Sequence, residues 1–174
     1  MIEIVMGIDP GAKYTGVSVR NMITDEILWS STYVKPAETP MFIWGWELGE
    51  LIENDILSLF PTAKIGIEGI AAPRGFSNGK KSPINPKYVI FAAIVAGMLA
   101  QRFPDAVIVA PGHNGTSRSG YPDVLNGRRP KTLPGSALGA GTRNHEKSAY
   151  DVAGSVPLLV AEKYKLDQKS EPEI

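Results

Sequence analysis

The chain has 174 residues, with 18 Lys and Arg against 18 Asp and Glu, so its formal charge is zero. That length suits one domain with a proper core. No apolar run reaches the roughly 18–20 residues of a bilayer-spanning helix, and the absence of cysteine excludes disulfides and thiolate metal sites. One domain over residues 1–165 with a polar tail at 166–174 is expected. The N-terminus shows no basic leader and no cleavage motif, so the expected location is cytoplasmic.

Residues 2–8 read as a buried strand, 15–21 as a second and 26–34 as a third; their short connections predict an antiparallel meander. Pro36 and Pro40 punctuate the chain before a helix over 41–60. Its one side carries Trp44, Leu48, Leu51, Ile52, Ile56 and Leu59, its other Glu47, Glu50, Glu53 and Asp55. A short buried strand at 63–70 leads into a loop rich in Gly, Pro and Lys at 71–85. A helix at 86–103, with Pro86 near its first turn, precedes a strand at 106–110. Residues 111–142 lack periodicity, and a segment this long inside a domain is functional or disordered. The last helix spans 144–164: Asn144 can cap it, Glu146 suits its first turn, and Pro157 is expected to kink or end it. Three strands, helix, strand, helix, strand, helix predict an α/β fold, a mixed five-stranded sheet with helices on both faces.

The zero net charge hides an asymmetry. From Ala72 to Lys147 there are eleven Lys and Arg against three Asp and Glu, a balance of +8, and the remaining chain carries −8. The middle is a basic face for a polyanion or a set of solvated loops.

Three carboxylates stand in apolar surroundings: Asp9 in "MGIDPGAKYTGVSV", Glu68 in "IGIEGI" and Asp151 in "SAYDVAGSV". Each has a structural explanation: an Asp-Pro-Gly turn, a strand-end ion pair, an exposed helix position. If they converge, they repel one another unless a divalent cation neutralises them. Oxygen ligands select Mg²⁺ or Mn²⁺, and two such ions about 4 Å apart can clamp the attacking water and leaving oxygen of a phosphodiester.

"GIDPGAKYTGVSV", then "IGIEGI", then "HEKSAYDVAGSV" together resemble the RuvC-type Holliday-junction resolvases of the RNase H-like superfamily, over about residues 2–162. The resemblance implies a sheet in the order 3-2-1-4-5. It implies a Mg²⁺- or Mn²⁺-dependent endonuclease with two ions per site, held by Asp9, Glu68 and Asp151. The implied partner is branched DNA, a four-way junction cut in pairs to leave 5′-phosphates. Two departures stand out. The family carries an acid or His three residues before its last Asp, where this chain has Ser148; His145 and Glu146 lie one turn earlier and are the other candidates for a fourth ligand. The aromatic that the family places soon after its strand Glu has only Phe76 as a counterpart. Such departures suit a divergent, phage-type member.

His145 is a candidate for proton transfer or phosphate contact, or an exposed helix start; His113 reads as loop. Lys13, Arg74, Phe76, Lys80, Lys81, Arg118, Arg128, Arg129, Lys131 and Arg143 are the candidate DNA contacts. The helix at 86–103 is apolar on all sides, with Ala92, Ala96 and Ala100 and also Ala93 and Gly97 at four-residue spacing. It predicts a homodimer, or else cover by another helix of the same chain. Three other readings have a sequence basis: a related nuclease acting on flaps, forks or RNA–DNA hybrids, an inactive DNA-binding module, and an ATP-handling protein of the actin/hexokinase-like fold. The last needs a second domain for which 174 residues leave no room.

Overall fold

A computed structural model of the chain describes residues 3–70, 76–77, 80–81, 85–111, 120–126 and 144–170. Alternation along its first strand sets how the sheet is covered. In β1 (Ile4–Asp9), Met6 and Ile8 enter one core, while Val5 enters another on the opposite face. Gly7 and Asp9 share the Val5 face by the two-residue period of a strand. β2 (Tyr14–Asn21) runs antiparallel to β1, and β3 (Ile27–Val34) antiparallel to β2. β4 (Lys64–Glu68) lies parallel to β1 on its other side. A separate two-stranded hairpin pairs β5 (Phe76–Ser77) with β6 (Lys80–Lys81). The last strand, β7 (Val107–Val109), is parallel to β4. The sheet order is β3-β2-β1-β4-β7, the expected 3-2-1-4-5 once the hairpin is set aside.

Helices α1 (Met41–Ile52) and α2 (Pro86–Arg102) cover one face. Trp44, Leu48, Ile52, Val95 and Leu99 pack there on Met6, Ile8, Val17, Val19 and Ile67. The two helices run parallel, with Gly45 against Met98 and Gly49 against Arg102. Helix α3 (Asn144–Ser170) crosses the opposite face, where Val152, Ala153 and Val156 pack on Val5 and Val109.

Four expectations about these helices are corrected. The helix over 41–60 is regular only to Ile52; a π turn follows over Glu53–Leu57, closed by Ser58 N–H bonding to Glu53 C=O at 3.0 Å. The wider turn shifts the apolar phase beyond it, so Leu59 is exposed while Ile56 is buried; Leu51, in the regular part of the helix, is exposed as well. Helix α3 passes through Pro157 and continues to Ser170, into the stretch read as tail. A proline forfeits one backbone bond, and the contacts of Val152, Ala153 and Val156 before it and of Leu159 and Val160 after it hold the helix on either side of that loss. The segment read as aperiodic contains a 3₁₀ turn, Asp123–Leu125, with Leu125 buried against Ile27 and Tyr150. On α2, Ala96 and Ala100 pack on the core, because α1 and the sheet cover that side; Ala92 is half-buried, and Ala93 and Gly97 are exposed.

Two glycines let α3 lie against the sheet backbone. A Cβ on Gly7 would come 2.0 Å from the Ala149 carbonyl oxygen, and one on Gly16 would come 2.0 Å from the His145 carbonyl oxygen. Side chains lock the same docking. Glu146, only 1% exposed, accepts hydrogen bonds from Ser30 Oγ and, at 3.2 Å, from Thr32 Oγ1. Arg20 donates to the Tyr150 carbonyl at 3.0 Å, pairs with Asp25 and stacks 3.6 Å from the Tyr150 ring centre. Glu146 therefore faces β3 and is used in packing, not in the Asp9 site.

Candidate active site

Asp9 and Glu68 stand side by side as a consequence of register. β1 and β4 are parallel, Ile8 pairs with Ile67, and the acid is the next residue on each strand. Both lie at the C-terminal ends of strands, beside β1, where the strand order reverses; open α/β sheets place their ligands there. The start of α3 reaches this edge. His145 Nδ1 lies 2.7 Å from Asp9 Oδ2, and Ser148 Oγ donates to Glu68 Oε2 at 3.0 Å. The ring of Tyr14, the first residue of β2, sits 6.1 Å from the His145 ring, and the Lys13 ammonium lies 5.1 Å from the Tyr14 centroid.

Charge is crowded at this edge. Burial, the adjacent Asp9 carboxylate and a hydrogen bond to Asp9 push the Glu68 carboxyl up to about 7, against smaller opposing effects of Ser148 and His145. The His145 imidazolium is favoured chiefly by its hydrogen bond to Asp9, which outweighs the opposing effect of burial, and further by the Asp9 and Glu68 charges. A carboxyl raised by burial and then by an acid beside it marks a place where a cation would replace a proton. Two carboxylates at an open strand edge are hard oxygen donors, so the pair fits a divalent cation of the Mg²⁺ or Mn²⁺ class.

Asp151 is elsewhere. It is 3% exposed, and its Oδ2 accepts from Tyr121 Oη at 2.5 Å. Burial and the Asp151 carboxylate push the Tyr121 phenol up to about 12, which keeps it a donor. Among the described residues no three of His, Cys, Asp and Glu, Asp9, Glu68 and His145 included, form a cluster that could hold a metal ion. Contacts join Asp9 to Glu68 and to His145, while the contact described for the Asp151 carboxylate is Tyr121. The helix position that meets Glu68 is Ser148.

No family model matches the chain, and no curated protein sequence matches it. Solved structures do. RuvC of T. thermophilus in complex with a Holliday junction substrate is 14% identical, over 91% of this chain and 95% of that one, with a TM-score of 0.58. The Thermus thermophilus RuvC structure is 13% identical over 92% and 96%, with a TM-score of 0.53. The fold is that of RuvC.

On this RuvC fold the remaining candidates fall as follows. Lys13 is exposed in the turn beside Asp9. Phe76, Lys80 and Lys81 lie on the β5–β6 hairpin. Arg74, His113, Arg118, Arg128, Arg129, Lys131 and Arg143 lie outside the described residues. Among the described residues no helix is long and apolar enough to cross a membrane. The sequence reading missed Tyr121, which partners Asp151, and Tyr14, which borders His145. Ser148 was readable as a departure from the RuvC pattern, but not as the hydroxyl that holds Glu68. Nothing in the local pattern around Tyr121 signals its contact thirty residues along the chain.

Proposed function

We propose that the chain is a divalent-metal-dependent endonuclease that resolves four-way DNA junctions by paired phosphodiester hydrolysis, leaving 5′-phosphates. The observation that carries the reading is the Asp9–Glu68 pair at the strand-order reversal of a RuvC-like sheet. Its support is the RuvC neighbour solved with a Holliday junction. Asp9 and Glu68 would hold Mg²⁺ or Mn²⁺, two ions per site, and Asp151, placed on Tyr121, is not counted among the ligands. When bound, the cations supply positive charge at the scissile phosphate and acidify water. Ser148 keeps Glu68 oriented. His145, tied to Asp9 through Nδ1, has Nε2 left to exchange a proton with the reacting groups. Lys13 and the hairpin lysines 80 and 81 meet phosphates and set the register of the DNA without reading its bases.

A two-fold junction cut on opposed strands calls for a two-fold dimer. The surface suited to it combines exposed Phe42, Ile43 and Trp46 of α1 with Tyr88, Ile90, Ala93 and Gly97 of α2; Gly97 has no neighbour within 4 Å of a built Cβ. Gly97→Glu is expected to give a monomer by light scattering that no longer makes paired cuts. A wild type that is monomeric both free and junction-bound refutes the dimer.

The test of the activity is cleavage of labelled junction, fork, flap and hybrid substrates in Mg²⁺ and in Mn²⁺. The junction is expected to be cut fastest, with Asp9→Asn inactive yet still bound to it. Preferential cutting of a flap, a fork or a hybrid gives the site to a related nuclease. Cleavage by Asp9→Asn at the wild-type rate overturns the site.

A further inference from the structure

Helix α3 crosses three strands beside the Asp9–Glu68 edge, and its close contacts give its phase. The His145 carbonyl lies against Gly16 of β2, Ala149 and Ala153 against Gly7 of β1, and Val152 and Val156 against Gly66 of β4. Asp151 falls midway between Ala149 and Ala153, so at about 100° per residue it points roughly 180° from their line, away from the strand-end acids. His145 and Ser148 lie together on one flank of the stripe turned to the sheet. Three residues span about 4.5 Å of helix, close to the roughly 4.8 Å between neighbouring strands. Each strand acid therefore meets its own α3 side chain: His145 Nδ1 is 2.7 Å from Asp9 Oδ2, and Ser148 Oγ is 3.0 Å from Glu68 Oε2.

Position 148 is thus the point of α3 turned to Glu68, and it carries no charge. Among the described residues no third His, Cys, Asp or Glu completes a cluster with Asp9 and Glu68. The Ser148 hydroxyl donates its one proton to Glu68 Oε2, and a hydroxyl keeps two lone pairs as acceptors. Glu68 and Ser148 are both half-buried, so an ion and its water can reach the edge. A neutral oxygen can fill a place in a hard-cation site, as carbonyls and waters do, but the charge count of the ligands sets the affinity.

We propose that residue 148 is the third ligand position of the Asp9–Glu68 cation site, and that Ser148, a neutral oxygen in that place, sets how tightly this chain holds the ion. The proposal rests on the reading of Asp9 and Glu68 as cation ligands. An acid at 148 then raises the affinity, and the atom placed there changes the choice of metal: a carboxylate favours Mg²⁺ and Mn²⁺, a thiolate a soft ion.

The chain has no cysteine, so Ser148→Cys adds a single thiol at nearly unchanged volume. Titrated with Cd²⁺, a soft ion that takes thiolate and carboxylate together, this variant is expected to show sulfur-to-metal charge-transfer absorption in the ultraviolet. Adding Glu68→Gln to the same protein is expected to weaken that binding about tenfold. In calorimetric titrations with Mn²⁺ alone, Ser148→Asp is expected to bind about tenfold more tightly than the wild type. The gain is expected to persist in ~0.5 M salt, where a charge that stands near the ion without touching it is screened. No absorption band from Ser148→Cys, or a band that Glu68→Gln leaves unchanged, overturns the proposal. So does a folded Ser148→Asp that binds Mn²⁺ no more tightly than the wild type, or whose gain vanishes in salt; where Ser148→Asp does not fold, the Ser148→Cys band decides. Asp9→Asn separates these outcomes from failure of the underlying reading. Asp9→Asn that binds Mn²⁺ as well as the wild type removes the cation site itself. Asp9→Asn that loses Mn²⁺ while Ser148→Cys stays silent removes only the role of position 148.

Discussion

Replacing Glu68 by Gln removes the charge that the folded site accommodates least well. The Glu68 carboxyl rises from 4.5 to about 7 on folding, which at ~1.36 kcal/mol per pKa unit corresponds to a ceiling of about 3.4 kcal/mol. The site is partly open to solvent, and screening reduces this to roughly 1–1.5 kcal/mol. A carboxyl whose folded pKa lies above its unfolded value stabilises the fold while protonated, so its contribution is lost as pH rises from about 4.5 through about 7. His145 acts in the same direction: its pKa is raised by Asp9, so its contribution is present below its unfolded value and lost as pH rises through the folded one. In EDTA the wild type is therefore expected to melt lower at about pH 8 than at about pH 5. Glu68→Gln should show a flatter profile and melt ~2–5 °C above the wild type at the higher pH, the shift that about 1–1.5 kcal/mol gives in a chain of this size. Scanning calorimetry in EDTA and again in Mn²⁺ makes the comparison, and Mn²⁺ should stabilise the wild type but not the variant at the higher pH. A Glu68→Gln protein no more stable than wild type in EDTA at about pH 8 refutes the claim that the two acids crowd each other.

Gly7→Ala places a methyl 2.0 Å from the Ala149 carbonyl oxygen, and the resulting displacement of α3 should cost about 3 kcal/mol or more in urea unfolding. His145→Ala should slow junction cleavage about 100-fold while leaving binding nearly unchanged, measured by single-turnover kinetics beside a gel-shift titration; a full-rate variant returns His145 to a helix start. Lys80→Ala with Lys81→Ala should weaken junction binding and flatten its salt dependence by roughly one to two in log–log slope, and an unchanged slope moves the DNA face away from the hairpin.

The strand acids were legible in the sequence because strands have a simple period. Asp9 and Glu68 each end an apolar run, and parallel register then fixes them as neighbours, with no help from distant residues. The order of strands and helices was legible for the same reason: apolar periodicity is local, and short connections leave few topologies. The π turn at Glu53–Leu57 was not, since one extra residue in a turn alters hydrogen bonding without altering composition. The fate of Asp151 lay further still from the sequence. A helix shows which residues share a face but not which way that face turns. For α3 the rotation is set by backbone contact at Gly7 and Gly16, by buried Glu146 on Ser30 and Thr32, and by Arg20 on Tyr150. Those contacts join residues more than a hundred positions apart, and together they point Ser148 at Glu68 and leave Asp151 to Tyr121. The sequence alone determined that the chain carries acids at the ends of apolar strands on a mixed α/β sheet. Tertiary packing alone decided which of them meet, because the direction of a helical side chain depends on how the whole helix is rotated against the sheet.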